Sequence, residues 1–391
     1  MIKIMFLGAA DFQLAPIEYA KEKGYYVITC DNRPDNPGHL LADKSYNIST
    51  IDKDKVLEVA LEEEIDGILT YGSDVSAAAV NHVRSKLGHS TFDVASLTKK
   101  NLFRKENSID YFSSTDKSTA LDLAKDFKKP FIVKPTDSAG SKGVSIVRFD
   151  HEIDFAIHYA FDNSIEKEII VEEYVEKIGN QICGDGFMFE GELKFIYYGD
   201  GHFYYDRLAP WGETFPSTHS KEILREASNQ IESILKKYGY LNGPFNVDLF
   251  VTKDGIFVNE IGPRNGGNFI PQVTKLATGV DMIEATVEMS HNLDYKFEPK
   301  IDNQDYYYSS YMIHSKDEEG YFKGINYSDE IGKRIIKETL FVKTNDKVNM
   351  FKQGGDAIGN LMLYFDTEDE MNNFYLDIHK HIQIKLDDSI S

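Results

Sequence analysis

The stretch GIFVNEIGPRNGGNF, residues 255–269, closes an apolar run with Glu260, then Pro263, Arg264, Asn265 and the glycines Gly266 and Gly267. An acid, a guanidinium and an amide on so bare a backbone are groups suited to metal and phosphate. The segment FNVDLFVTKDGIFVNEIG (245–262) reads as two strands joined at Lys253-Asp254-Gly255, a three-residue loop with Gly255 in the left-handed position. Counting outward pairs Leu249 with Asn259 and Asp248 with Glu260. Two carboxylates then stand opposite each other, about 4.5–5.5 Å apart at Cβ. Like charges so placed repel unless a cation lies between them, and a hard divalent ion such as Mg²⁺, shared with substrate phosphates, resolves the conflict. A two-residue loop would send the acids to opposite faces, and a solvated acid pair is the bland alternative. Arg264 favours the first reading, because it can stabilise charge on a transferring phosphoryl group. Gly266-Gly267 lets a ligand approach the backbone closely.

A second cluster lies in PFIVKPTDSAGSKGVSIV (130–147). Lys134 sits inside an apolar strand, where an unpaired lysine is unusual, and its long stem suits a nucleotide phosphate. The loop after it offers Ser138, Gly140, Ser141, Lys142 and Gly143. Its backbone N–H groups can cradle phosphate oxygens. A Walker A loop is excluded, because Gly332-Lys333 is followed by Arg334 rather than Ser or Thr. An ordinary hairpin loop with an edge lysine competes with this reading on equal terms.

These groups need elements to hold them. IKIMFLG (2–8), YYVITCD (25–31) and DGILTYGSD (66–74) read as strands, with a helix from about Leu14 to Gly24. Alternating strands and helices predict a parallel sheet with ligands at the carboxyl ends of its strands. Ser73 and Asp74 follow such a strand and become substrate candidates, against the commoner role of capping the next helix. From Thr98 the pattern changes to a helix (LTKKNLFRKE), strands at 130–135, 144–149 and 168–175, and a hairpin over 186–198 turning at Glu190-Gly191. THSKEILREASNQIESILKKYG reads as an amphipathic helix. The expected domains are 1–97, parallel α/β; 98–300, two-lobed with a small lobe at about 115–185; and 301–391, a C-terminal α+β extension. HKH (379–381) reads as a solvated strand face.

The chain has 391 residues, with 43 Lys and Arg against 64 Asp and Glu, a formal charge of −21. So acidic a surface repels a phosphate backbone, which argues against a nucleic-acid partner. No apolar run is long enough to span a bilayer. Two cysteines, Cys30 and Cys183, provide no disulfide framework, and the expectation is a cytoplasmic protein.

Four ordered segments over roughly 98–300 together resemble the ATP-grasp superfamily. TKKNLFR looks like its first nucleotide lysine, Lys100. FIVKP with DSAGSKG looks like its second, Lys134, with the phosphate-covering loop. IIVEEYV resembles the hinge strand that reads adenine, with Glu172 and the backbone of Glu173, Tyr174 and Val175 as base contacts. DLF…VNEIGPR resembles the metal acids Asp248 and Glu260 with the catalytic Arg264. Two departures follow. The ribose position falls on Gln181, with Asp185 further on. Gly262 stands where many members carry an asparagine ligand, so Asn265, Asn259 or water is the expected substitute. The Glu-Ile-Gly-Pro-Arg form is similar to amino-acid ligase members.

The resemblance implies ATP and Mg²⁺ as cofactors, with Mn²⁺ admissible. It further implies small carboxylate and amine substrates joined through an acyl phosphate, and it allows a homodimer. In HFYYDRLAPWGETFPSTHS (202–220), Arg207 has the chemistry to bind the carboxylate and Glu213 the amine. An ATP-dependent carboxylase or kinase of the same superfamily is the runner-up. An NAD(P)-dependent oxidoreductase, weakened by the missing glycine fingerprint, and a non-catalytic nucleotide module complete the alternatives.

Overall fold

The structure, a computed structural model, describes residues 1–302 and 304–388, so Asn303 and the last three residues of the 301–391 block lie outside it. Lys3–Leu7 (β1), Tyr26–Cys30 (β2), Lys44–Tyr46 (β3) and Gly67–Thr70 (β4) form a parallel sheet in the order β3-β2-β1-β4. The three strands read from sequence are present. The edge strand β3 carries too little apolar pattern to announce itself. Helix Met282–His291, far along the chain, covers one face of this sheet, with Ile283 and Val287 packed on Ile4, Phe6 and Leu69.

Tyr111–Ser114 (β5), Phe131–Pro135 (β6), Ser145–Val147 (β7) and Ile169–Glu173 (β8) form a second, antiparallel sheet in the order β5-β8-β6-β7. Its two faces differ. Phe131, Val133, Ile169 and Val171 pack on helices Lys117–Asp126 and Ile153–Asn163. Because side chains alternate along a strand, Lys134 and Glu172 must lie on the other face.

An eight-stranded sheet dominates the rest. Its strands are Gln181–Phe189 (β9), Glu192–His202 (β10), Gly212–Phe215 (β11), Gly243–Thr252 (β12), Gly255–Gly262 (β13) and Tyr307–Ile313 (β14). After Gly320–Tyr327 (β15) come Ile335–Leu340 (β16), Lys347–Val348 (β17), Gly359–Phe365 (β18) and Ile382–Asp387 (β19). The large sheet runs β13-β12-β9-β10-β11-β14-β18-β16, and β17-β15-β19 form a small sheet beside it. Three strands from beyond residue 301, β14, β18 and β16, continue the central sheet. His379 and His381 belong to helix Glu368–His381, not to a strand face. The hairpin β9–β10 turns at Glu190 and Gly191, both with positive φ, as its sequence indicates.

One face of the large sheet lies under the amphipathic helix Lys221–Lys237. Ala227, Ile231 and Leu235 meet Val247, Leu249, Val258 and Ile261 there. On β13, Val258 and Ile261 are both buried in this core although three residues apart. A regular strand cannot do that, since its faces alternate with period two. The pairing explains it. The loop is two residues long, Thr252 pairing with Gly255, so Leu249 faces Val258. The register then shifts, Asn259 is the extra residue, and Asp248 faces Glu260 after all. The expected acid pair is present, but the three-residue loop and the Leu249–Asn259 pairing are replaced by a two-residue loop and a bulge.

Candidate functional site

The charged groups lie on the face of the large sheet away from helix Lys221–Lys237, beside Cys183 and Phe215, which pack under Phe269, Ile270 and Val273. Alternation puts Gln181, Cys183 and Asp185 of β9 on one face with Asn246 and Asp248 of β12, and Glu213 of β11 pairs with Gly201 of β10 on that same side. The opposing face of the small sheet supplies Lys134. The small sheet thus turns Lys134 and Glu172, and the large sheet Asp185, Glu213, Asp248 and Glu260, toward a common region in which Lys134 acts on Glu260.

Lys134 and Glu172, on neighbouring strands, form an ion pair, and Arg104 Nε closes on the other oxygen of Glu172 at 2.7 Å. Both acid and lysine are nearly sealed from solvent. Burial opposes charge on Glu172, yet Lys134 and Arg104 hold its carboxyl below the usual range. Burial pulls the Lys134 ammonium down against the attraction of Glu172. Lys100 Nζ donates to the Ser138 carbonyl at 2.6 Å and lies 3.7 Å from Glu260 Oε2. Lys100 thus spans the gap between the glycine loop and the acid pair.

The Glu260 side chain is 32% exposed, open to an incoming cation. Against its burial, Lys100, Arg264 and Lys134 hold its carboxyl below the usual range. Asp248 behaves oppositely. Burial and then Glu260 push its carboxyl up to about 7. The pair carries more negative charge than its surroundings compensate, which is the donor chemistry a divalent cation satisfies. Among the described residues no cluster of three or more His, Cys, Asp or Glu side chains has the spacing to hold a metal alone, so such an ion would depend on phosphate oxygens.

Arg264 is held at both ends of its guanidinium. Its Nη2 donates to Asp74 Oδ2 at 2.6 Å and its Nη1 to the Asn265 carbonyl at 3.1 Å. Asp74, on the loop after β4, raises the guanidinium's affinity for its proton against the effect of burial. It does not cap the next helix; Ser76 occupies that position. Ser73 remains beside it, its hydroxyl 3.4 Å from that of Ser76. The bare backbone has a local cause as well. A Cβ on Gly262 would sit 2.4 Å from Asp74 Oδ1, and one on Gly266 2.5 Å from Asp185 Oδ1. Gly266 N–H donates to Asp185 at 2.7 Å. Those glycines admit neighbouring carboxylates, while Gly267 faces open space.

Several expected roles change. Gln181, expected at the ribose, donates its amide to Asp248 Oδ1 at 2.8 Å and so orients that carboxylate. Asn265, read as a metal ligand, is wholly buried, with Oδ1 accepting from Thr286 at 2.8 Å. Arg207 is turned away to the C-terminal block, bonding the Lys316 carbonyl at 2.5 Å and Asp317 at 2.9 Å. Glu172 spends its carboxylate on Lys134 and Arg104. Of the hinge amides, Glu173 N–H serves the Asp110 carbonyl and Tyr174 N–H the Pro130 carbonyl, while Val175 N–H has no partner among the described residues. A cleft of about 1170 Å³ opens beside that hinge, lined by Glu173, Tyr174 and Val175 but not by Lys134 or the acids.

The glycine loop is held open by its own geometry. Gly140, Ser141 and Gly143 have positive φ. A Cβ on Gly143 would meet Pro135 at 2.7 Å, so that position demands glycine. Ser138 Oγ donates to the Lys142 carbonyl and Ser141 Oγ to the Leu208 carbonyl. Lys142 itself stays exposed.

Glu213 does join the site. It is 3% exposed, takes one hydrogen bond from Asn268 Nδ2 at 2.9 Å, and leaves Oε2 without a partner. Burial pushes its carboxyl up to about 8, with Asp248 and Asp185 adding to the rise. Asn268 and Phe269 are held in the left-handed region, the local strain that accumulates at functional loops. Asp185, raised to about 6 by burial, is the acid that sequence reasoning left outside its assignments. Arg104 was also missed, because an arginine in a helical run carries no signal until the sheet opposite places Glu172 against it.

Residues 101–286 match the family described as D-ala D-ala ligase C-terminus. A formate-dependent phosphoribosylglycinamide formyltransferase of Francisella tularensis subsp. tularensis is 27% identical over 292 residues, covering 67% of this chain and 70% of that one. The fold is similar to an L-amino acid ligase from Bacillus licheniformis, with a TM-score of 0.83 at 16% identity over 99% of both chains. It is also similar to N5-carboxyaminoimidazole synthetase from Staphylococcus aureus complexed with ADP, with a TM-score of 0.73 at 13% identity over 96% of both chains.

Proposed function

We propose that this chain, an ATP-grasp protein whose residues 101–286 match the D-ala D-ala ligase C-terminus family, joins a small carboxylic acid to an amine using ATP. The observation that carries the reading is the convergence of Lys100, Lys134, Asp248, Glu260 and the Asp74-braced Arg264 in one cleft. Plain nucleotide binding has no use for so complete a set. The names of the relatives point the same way, toward formate in one and amino acids in another.

In this reading Lys100 and Lys134 hold ATP phosphates under the loop 136–143, and the Val175 N–H meets the base. Asp248 and Glu260 would hold Mg²⁺, which supplies charge neutralisation on the transferring phosphoryl group when bound. A substrate carboxylate oxygen attacks the γ-phosphorus, the bond to the β-bridging oxygen breaks, and ADP leaves. The amine then attacks the acyl carbon and inorganic phosphate departs. Arg264 steadies the oxygens that gain charge in both steps. Glu213, with its carboxyl near 8 and one free oxygen, holds the ammonium and takes its proton. Most of the rate then comes from positioning and electrostatics.

The test is ADP release with Mg-ATP across a grid of carboxylic acids and amines, bicarbonate included, with Lys134→Ala as control. ADP that requires both an acid and an amine supports the ligase. Turnover with bicarbonate in place of the acid transfers the reading to a carboxylase, and turnover with the acid alone to a kinase.

A further inference from the structure

A cavity of about 130 Å³ is lined by residues of both the N-terminal sheet and the segment 239–244 leading into β12, and shares Arg264 with the cleft described above. Neither lysine and neither metal acid lines it. Its wall includes Arg84, on helix Ala77–Lys86, and Arg264. Arg84 has no hydrogen-bond or ion-pair partner among the described residues. Burial lowers the guanidinium's hold on its proton, and the only group opposing that is the neutral phenol of Tyr240. Nearby His89 is depressed by burial and by Arg84 itself, so the charge faces no acid in a chain carrying −21. On Arg264 the two Nη groups are engaged, yet Nε is buried and unpartnered.

Arg84 is partly buried, and a partly buried cation without a counter-ion still costs desolvation, which an anion arriving there offsets in part. The rest of the wall decides which anion. Leu69, Val80, Phe92, Tyr240 and Met289 make it mainly apolar. A phosphate or sulfate would lose its water against those side chains and gain nothing from them. We propose that this cavity binds a small monocarboxylate with an apolar body, its carboxylate on Arg84 and its hydrocarbon against Val80, Phe92 and Tyr240. The site does not rest on the ligase reading, and it needs neither ATP nor metal.

The experiment measures binding of acetate, butanoate, hexanoate, phenylacetate and inorganic phosphate to the whole chain without nucleotide, by calorimetry and saturation-transfer NMR. The expected result is affinity that rises about fourfold per added methylene, falls about tenfold or more in Arg84→Gln, and is largely retained in Arg84→Lys. Val80→Phe, which fills the cavity and keeps Arg84, should exclude hexanoate and phenylacetate. Lys134→Ala should bind all the acids normally, which separates this site from the ATP chemistry. Phosphate binding as tightly as the acids, no dependence on chain length, or undiminished binding in both Arg84→Gln and Val80→Phe would overturn the proposal.

Discussion

At the scale of single residues, the site rests on unequal treatment of similar groups. Glu260 lies beside Lys100 and keeps its charge, whereas Glu213 is sealed in with a neutral amide and other acids. Lys134→Ala and Glu260→Ala should each lower ADP release about 10²–10³-fold with the far-ultraviolet dichroism unchanged; near-wild-type turnover in either folded variant contradicts the assigned roles. Glu213 gives a pH signature. Its folded pKa is raised, so the stability it contributes is full below about 4.5 and is lost as pH rises through about 8. Glu213→Gln should therefore melt above wild type at pH 9, with the gap closing by pH 5. A gap independent of pH would mean that Glu213 does not titrate there. Arg104→Leu leaves Glu172 with Lys134 alone, and the expected loss is about 3–5 kcal/mol in denaturant unfolding.

Among the elements, the β12–β13 hairpin decides whether Glu260 faces Asp248. A two-residue loop alone turns Glu260 to the helix-covered face. The extra residue Asn259 turns it back, and also brings Ile261 into the core beside Val258. Deleting Asn259 removes the bulge but leaves Glu260 opposite Asp248 and Ile261 opposite Val247, so the deletion variant should stay folded and keep ADP release, whereas Glu260→Ala loses it. Loss of turnover in a folded deletion variant would show that the bulge's own geometry, and not the pairing with Asp248 alone, aims the acid. The same logic applies to the small sheet, whose alternation hides Phe131 and Val133 under helices and presents Lys134 and Glu172 to the cleft.

For the whole molecule, the parts read as separate blocks are interlocked. Asp74, from the first hundred residues, braces Arg264, and helix Met282–His291 covers the N-terminal sheet. Beyond residue 301, β14 pairs along β11, the strand that carries Glu213. Asn360 of β18 bonds Ser310, whose hydroxyl reaches the Asn268 carbonyl next to the glutamate's partner. A chain ending at residue 300 would expose β11 as a bare edge, and such edges aggregate. Expression of 1–300 should yield insoluble or aggregated protein; a monomeric fragment of native melting behaviour would show that the last block is a true appendage.

Local chemistry made much of this legible. The apolar runs fixed where β1, β2, β4, β6 and β8 lie, the amphipathic repeat marked helix Lys221–Lys237, and Lys134, Asp248, Glu260 and Arg264 stood out because charge at the end of an apolar strand needs a reason. What lay beyond sequence were choices between partners far apart in the chain. Gln181 has the same amide whether it meets a ribose or Asp248, and Arg207 the same guanidinium whether it meets a substrate or Asp317. The spacing of Val258 and Ile261 held the trace of the bulge, yet only packing against the helix above them shows that both must be buried. Backbone pattern is a property of neighbours in sequence, and it determined the elements. Which polar group satisfies which is a property of neighbours in space, and only the tertiary structure decided it, because a buried charge takes whatever counter-charge the assembled sheets bring within reach.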